Sequence, residues 1–351
     1  MIDFYNNQVD LLIKDKDFIA DNDKKKICWT RGLRKIFLKK QYIEECKSRY
    51  AIGLYRPYAK MNFYYDRCMN EYYKEKIYPT ARHSNLMIQV TGIGVNKDFS
   101  CLISNTMQDV QTFANGQCFP LYHYEKADCG KIGNLLEIGK TVDAGYTRKD
   151  AITDAGLKLF RRHYADDSIG REDVFYYVYG ILHSPKYRED YAADLKKMLP
   201  RVPLAPDFRA FSMAGRELAH WHLEYESVEP WPLEEELKPQ GELDDFAYYR
   251  VEKMRFPKKG EKGSIIFNER ITFKGIPLEA YDYVVNGKSA LEWIMERYAV
   301  TVDKDSGIRN DPNDWCQEQG DPCYVYNLVR RIIRVSMETN KIVSGLPDYE
   351  A

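Results

Sequence analysis

Between Arg171 and Ala205 the chain reads REDVFYYVYGILHSPKYREDYAADLKKMLPRVPLA. Few segments leave so little conformational choice. The stretch opens with Glu172 and Asp173, and acids favour a helix N-terminus. Phe175, Val178, Tyr179 and Leu182 then recur at helical spacing. Ser184 and Pro185 supply a cap and a residue suited to the first helical position, so they start a second helix. Tyr187, Tyr191, Leu195 and Met198 line one face of that helix, and Leu199–Pro203 stops it. Tyr187 and Tyr191 should both face the core, with their hydroxyls satisfied near its edge. No usual catalytic grouping falls in the stretch. It reads first as a helical packing unit.

The rest of the chain alternates in texture. Residues 1–50 read as helical, with Leu33, Ile36, Phe37 and Ile43 as one apolar stripe among basic residues. Leu86–Val95, Phe99–Ser104 and Cys118–Tyr124 look like short strands, and Gly130–Thr141 like a loop. Thr147 to Asp150 matches a capping box and predicts a helix with Ile152, Ala155, Leu159 and Phe160 inward. Phe208–Tyr225 reads as a further helix. Seven acids oppose one lysine from Glu229 to Asp245, which reads as a loop or border. YYRVEKMRF, GSIIFNERITFKG and YDYVVNGKSA then alternate as strands do, and the end is helical again. The expected class is α+β, a mixed β-sheet part with helical bundle segments. Four parts follow: 1–50, a helical connector; 51–145, β-rich; 146–228, helical; and 229–351, β-hairpins with C-terminal helices.

A net charge of −1 hides an asymmetry. From Lys24 to Arg82 sixteen Lys and Arg face five Asp and Glu, so the remainder is acidic. A basic block followed by Trp29, Phe37 and many tyrosines suits a polyanion. Lys24, Lys25, Lys26, Arg31, Arg34, Lys39, Lys40, Arg56 and Lys60 are the candidates for holding phosphates. Arg, Asn and Gln can bond base edges in pairs of hydrogen bonds. The loops and short strands that follow offer Arg82, His83, Asn85, Gln89, Gln108, Gln111, Asn115 and Gln117 for that task. No run of about 18 apolar residues is present to cross a membrane. Eight scattered cysteines without a CxxC pair suit a reduced, cytoplasmic protein and no zinc site.

Local catalytic motifs fail on spacing. GNLLEIGKT, Gly133–Thr141, has five residues between its glycines where a phosphate-binding loop needs four. The [DNS]PP[YF] tetrapeptide of amino-methyltransferases is absent. His220 and His222 point to different faces of one helix, a poor chelate. Asp311 and Asp314 in DPNDW fit a capped turn without metal. Neither a catalytic residue nor a metal site is expected.

Several stretches taken together resemble one family. YRPYAKMNFYY, NGQCFPLYHYE, the Glu172–Ala205 segment, AGRELAHWHLEYE and NGKSALEWIMERYAV with DKDSGIRNDPNDW occur in this order near the C-terminus of Type ISP restriction–modification enzymes. The resemblance covers about residues 50–345. Those enzymes join a nuclease, a helicase-like translocase, a coupler, an N6-adenine methyltransferase and a target recognition domain in one chain. The resemblance implies that this chain is the C-terminal specificity region alone, either a piece of a longer protein or a shortened one. It would read a short site in double-stranded DNA, partnered by the methyltransferase and helicase domains of the parent chain. S-adenosylmethionine, ATP and magnesium would belong to the parent, with no cofactor here. The rivals are a protein-docking scaffold that reads no bases, and a remnant methyltransferase or nuclease.

Overall fold

The structure, a computed structural model, describes residues 1–127, 142, 143 and 145–350. GNLLEIGKT, the loop expected at Gly130–Thr141 and Cys129 lie outside the described residues.

Two helices, α1 (Ile2–Lys14) and α2 (Arg31–Leu38), open the chain. The Thr30 hydroxyl accepts the Leu33 amide at 3.0 Å and so starts α2. Tyr5, Val9, Leu12, Ile27, Leu33, Phe37 and Ile43 bury themselves together as a small core. Lys24–Lys26 form a turn, not a helix. Asp21 and Asp23 carboxylates accept the amides two residues on, which competes with helix bonding.

Six strands follow: β1 (Tyr50–Arg56), β2 (Ala59–Tyr64), β3 (Met87–Val90), β4 (Cys101–Ser104), β5 (Met107–Gln108) and β6 (Gln117–Pro120). They make two sheets, ordered β2-β1-β5 and β4-β3-β6. All four residues of β3 are buried because both of its faces are covered. Ile88 and Val90 pack under helices, whereas Met87 turns to Tyr65 and Tyr78. A third sheet joins β7 (Tyr122–Lys126), β8 (Val142–Asp143) and β9 (Tyr146–Asp150).

The expected capping box at Thr147–Asp150 is therefore a strand. β9 pairs with both β7 and β8, and those ladder bonds outweigh a local helix signal. The true cap is Thr153, whose hydroxyl accepts the Gly156 amide at 3.1 Å. The helix α3 (Asp154–Tyr164) then turns Leu157 and Phe160 inward and leaves Ala155 and Leu159 outside.

The Arg171–Ala205 stretch forms α4 (Arg171–Ile181), α5 (Pro185–Asp190) and α6 (Ala192–Leu195), as its punctuation predicts. Ser184 Oγ accepts the Tyr187 amide and Pro185 takes the first turn. Tyr187 is fully buried and donates to Arg201 O at 2.9 Å. Tyr191 is only half-buried, since the helix breaks at it, and Met198 is exposed. Helix α7 (Phe208–Leu223) lies against α4 with backbone nearly touching backbone. Gly180 and Gly215 make that approach possible, because side chains there would strike the facing helix.

The C-terminal part holds β10 (Glu234–Leu237), α8 (Asp245–Tyr248), β11 (Ser264–Ile266), β12 (Ile271–Lys274), β13 (Val284–Val285), β14 (Lys288–Ser289) and α9 (Ala290–Arg297). A short pairing of Thr301–Val302 with Arg309–Asn310, α10 (Pro312–Gln319) and α11 (Tyr324–Ser344) complete it. The acidic segment thus contains strand β10, while YYRVEKMRF contributes only a bridge from Arg255 to Ile266. Asp311 caps α10 and is held by Arg250 at 2.7 Å and Arg309 at 2.9 Å. The core of this part also takes in residues from earlier in the chain: Leu54, Tyr58, Leu102 and Phe113 pack with residues of β12, α9 and α11. The class is α+β.

Candidate nucleic-acid interface

Three loops meet where β3 runs out into Thr91. They are Thr91–Ser100 between β3 and β4, Asp109–Gly116 between β5 and β6, and the Asn286–Gly287 turn between β13 and β14. The last is a two-residue turn with φ of 50° and 85°, for which Asn-Gly is the favoured dipeptide. Gly92 N donates to Ala114 O at 2.9 Å. Asn286 N donates to Ser100 Oγ at 2.9 Å, and its Nδ2 to Thr112 O at 3.2 Å. These bonds tie residues nearly 200 apart in sequence into one surface.

The middle loop is held from many sides. Phe113 is fully buried beneath it. Asp109 N and the Thr112 hydroxyl both donate to Leu54 O, at 3.0 and 2.8 Å. Gln89 Nε2 donates to Asp109 O at 3.0 Å from below. Asp109 accepts the Gln111 amide, and Gly116 N donates to Val110 O. What remains outside are the carboxamides of Gln111 and Asn115, followed by Gln117 at the start of β6. Asn115 adopts φ of +48°, a left-handed conformation that Asn tolerates better than most residues. A loop held in place that displays two exposed carboxamides can present donor and acceptor pairs to base edges with little ordering cost.

The other proposed base readers fall elsewhere. Gln89 is fully buried and serves as the strut described above. Asn85 is buried, with Nδ2 bonded to Ile77 O and Tyr122 O and its carbonyl to Tyr122 N. His83 is buried with Nδ1 at 2.8 Å from the Thr80 hydroxyl and its ring edge-on to Tyr124. Gln108 is half-buried between the sheets, where its Oε1 lies 3.5 Å from Cys118 Sγ. In this conformation none of these four presents its amide or ring to a duplex. Arg82 is exposed, and its charge acts on Cys46, which precedes β1 at the end away from Leu54.

The basic block is partly neutralised within the fold. Lys24 pairs with Asp305 at 2.6 Å, Lys26 with Asp21 at 2.8 Å, and Arg31 with Glu71 at 2.8 Å. Arg56 lies over the Tyr55 ring, 3.6 Å from Asp109. Lys60 is largely buried and its ammonium group is paired with Glu226. Tyr58 of the same hairpin is buried, its hydroxyl 2.9 Å from that of Tyr283. Lys25, Arg34, Lys39 and Lys40 have no carboxylate partner among the described residues, though Arg34 donates to Asn22.

Sequence reasoning missed Asn286, and it missed a buried polar network behind the interface. The Tyr179 hydroxyl lies 2.6 Å from His222 Nδ1, and His222 Nε2 lies 2.9 Å from the Thr339 hydroxyl. Tyr179 also accepts the Ile103 amide of β4. Burial, then the charge of Arg188, pushes the His222 pKa down to about 3. The same causes, with His222 added, hold His183 well below its ordinary value. Both rings are neutral and structural.

A family model described as the Type ISP C-terminal specificity domain matches residues 1–328. The chain belongs to that family. Among solved structures, the specificity domain resembles a nuclease-deletion mutant of the Type ISP restriction–modification enzyme LlaGI in complex with a DNA substrate mimic. That match has 35% identity and a TM-score of 0.82, and covers 100% of this chain and 30% of that one. The ATP-dependent Type ISP enzyme LlaBIII bound to DNA gives 36% identity and a TM-score of 0.83, over 99% of this chain and 21% of that one. A DrdV–DNA complex gives 29% and 0.80, over 100% and 33%. The specificity domain thus spans about a third or less of these relatives. No curated protein sequence matches it. None of its helices among the described residues is long and apolar enough to cross a membrane.

Proposed function

We propose that this specificity domain reads a short site in double-stranded DNA and orients it for the enzymatic parts of a longer parent chain. The observation that carries this reading is the Asp109–Gly116 loop, tied by hydrogen bonds to Leu54, Gln89, Gly92 and Asn286 and showing Gln111 and Asn115 outward. The DNA-bound state of the relatives supports the same reading. Gln111, Asn115 and Gln117 contact base edges. Lys25, Arg34, Lys39 and Lys40 supply phosphate contacts, which fix register without reading sequence. Methyl transfer, translocation and cleavage, with their S-adenosylmethionine, ATP and magnesium, belong to the methyltransferase, helicase and nuclease domains of the parent. This chain alone carries out none of them. Its place of work is the cytoplasm.

Competition binding with single base-pair variants of the target tests the reading. Gln111→Ala should relax discrimination at one base pair by about 1–3 kcal/mol and leave the melting temperature nearly unchanged. Equal loss of affinity for every duplex, with discrimination intact, would remove Gln111 from the reading surface.

A further inference from the structure

The charges around the three-loop surface do not balance. Lys97, on the loop from β3 to β4, reaches across to the Asn286–Gly287 turn. Its Nζ lies 3.4 Å from where a Cβ on Gly287 would stand. Lys288 follows that turn directly, and its Nζ sits 5.0 Å above the Trp293 ring. Arg297 approaches the same ring at 5.8 Å. Glu296 is paired with both Lys288 and Arg297. The neighbouring acids are already engaged: Asp98 with Lys196 at 3.2 Å, and Glu292 with Lys262 at 2.9 Å. Among the described residues Lys97 has no carboxylate partner, and Arg297 Nε is enclosed without an acceptor. Five cations thus share three carboxylates beside a loop that displays base-reading groups.

We propose that Lys97, Lys288 and Arg297 form a phosphate-binding cluster for the DNA backbone flanking the bases read by Gln111 and Asn115. The proposal rests on the DNA-reading function above. A phosphate diester carries one negative charge and non-bridging oxygens that accept from ammonium and guanidinium groups. Placed between Lys97 and the Lys288–Arg297 pair, it would supply the missing anion. Burial, then the charges of Arg297 and Lys97, lower the Lys288 pKa, and Glu292 opposes them. The Asn286 bonds to Ser100 and Thr112 fix this cluster against the reading loop. Contact with phosphate here would therefore add affinity beside the reading loop without reading sequence. Sequence charge alone points to Lys24–Lys40, because Lys97, Lys288 and Arg297 are scattered and come together only through the fold.

The test is a fluorescence anisotropy titration of the full chain with a duplex recovered by selection from a random pool, between about 50 and 200 mM salt. Lys97→Met and Lys288→Met keep the apolar stems and remove the charges. Each should lower the magnitude of the log K against log salt slope by about one and weaken all sequences alike. Base discrimination should stay as in the parent. Lys97→Met alone keeps the test readable if Lys288→Met perturbs folding, since Lys97 is exposed on its loop. An unchanged slope in Lys97→Met, while Gln111→Ala still relaxes discrimination, overturns the cluster and leaves the reading function standing. If the parent chain binds no duplex at any salt concentration, the reading function fails and the cluster with it.

Discussion

Replacing Gly215 by Ala pits helix propensity against packing. Gly215 lies inside α7, so propensity alone favours Ala by about 1 kcal/mol. The facing helix decides otherwise. A Cβ at Gly215 would stand 2.7 Å from the carbonyl carbon of Tyr176 and 3.0 Å from the amide of Gly180, and nearer still to Tyr176 O. Ordinary contact begins at 3.4 Å. The obstacle is backbone, which has no rotamer to change, so α4 and α7 must part by about 1 Å to regain normal carbon separations. The pair encloses Tyr177, Tyr179, Phe211 and Leu218, all fully buried, and parting would loosen each. Overpacking of this kind costs about 1–3 kcal/mol, and the upper end applies where nothing can rotate away. After the propensity gain is subtracted, a net loss of about 2 kcal/mol remains. Urea unfolding followed by circular dichroism measures it. Gly156→Ala in α3 is the control, because its nearest neighbours would lie at 3.4 and 3.8 Å. That variant should be as stable as the parent or gain up to about 1 kcal/mol. A Gly215→Ala variant as stable as the parent would refute the close helix contact.

Other outcomes follow from burial. Tyr187→Ala should cost about 3–5 kcal/mol, as for large aromatic truncations, whereas half-buried Tyr191→Ala should cost about half as much; equal losses in urea unfolding would contradict the break at Tyr191. Acid should weaken the fold through His183 and His222. Both have folded pKa values below the unfolded value, so their stability is present above about pH 6.5 and is lost as pH falls from there toward the folded values. Between pH 7.5 and 5.5 the two together should remove about 3 kcal/mol in urea unfolding; no loss over that window would mean that the rings are not buried neutral. Gln89→Ala should loosen the loop that Gln89 supports and blur base discrimination, with little change in salt dependence. A steeper or shallower salt slope in that variant would place Gln89 at the backbone instead.

Much of the framework is legible in the sequence because it is written locally. Ser184–Pro185 marks a helix start through one hydroxyl and one ring, and the structure uses both. The two acids before Val174 likewise open α4. Thr147–Asp150 misleads for the opposite reason. Its local pattern is that of a cap, but partners at Tyr122–Lys126 and Val142–Asp143 draw it into a sheet, and those partners leave no mark near Thr147. The site divides in the same way. Gln111 and Asn115 are exposed on a loop and Gln117 at the start of the strand that follows it, where polar residues are expected outside. Gln89 and Asn85 are polar residues that look available, yet they are buried as struts, and only the fold shows what they support. Lys60 finds Glu226 across 166 positions, and no spacing rule reaches that far.

The most direct test of DNA reading by this chain is selection of bound duplexes from a random pool, followed by sequencing, with the parent and with a Gln111→Ala/Asn115→Ala variant. The parent is expected to converge on one short asymmetric site. The variant is expected to recover the same site with one or two positions made degenerate. A parent that shows no sequence preference, or a variant that returns the identical site, would contradict base reading by the Asp109–Gly116 loop.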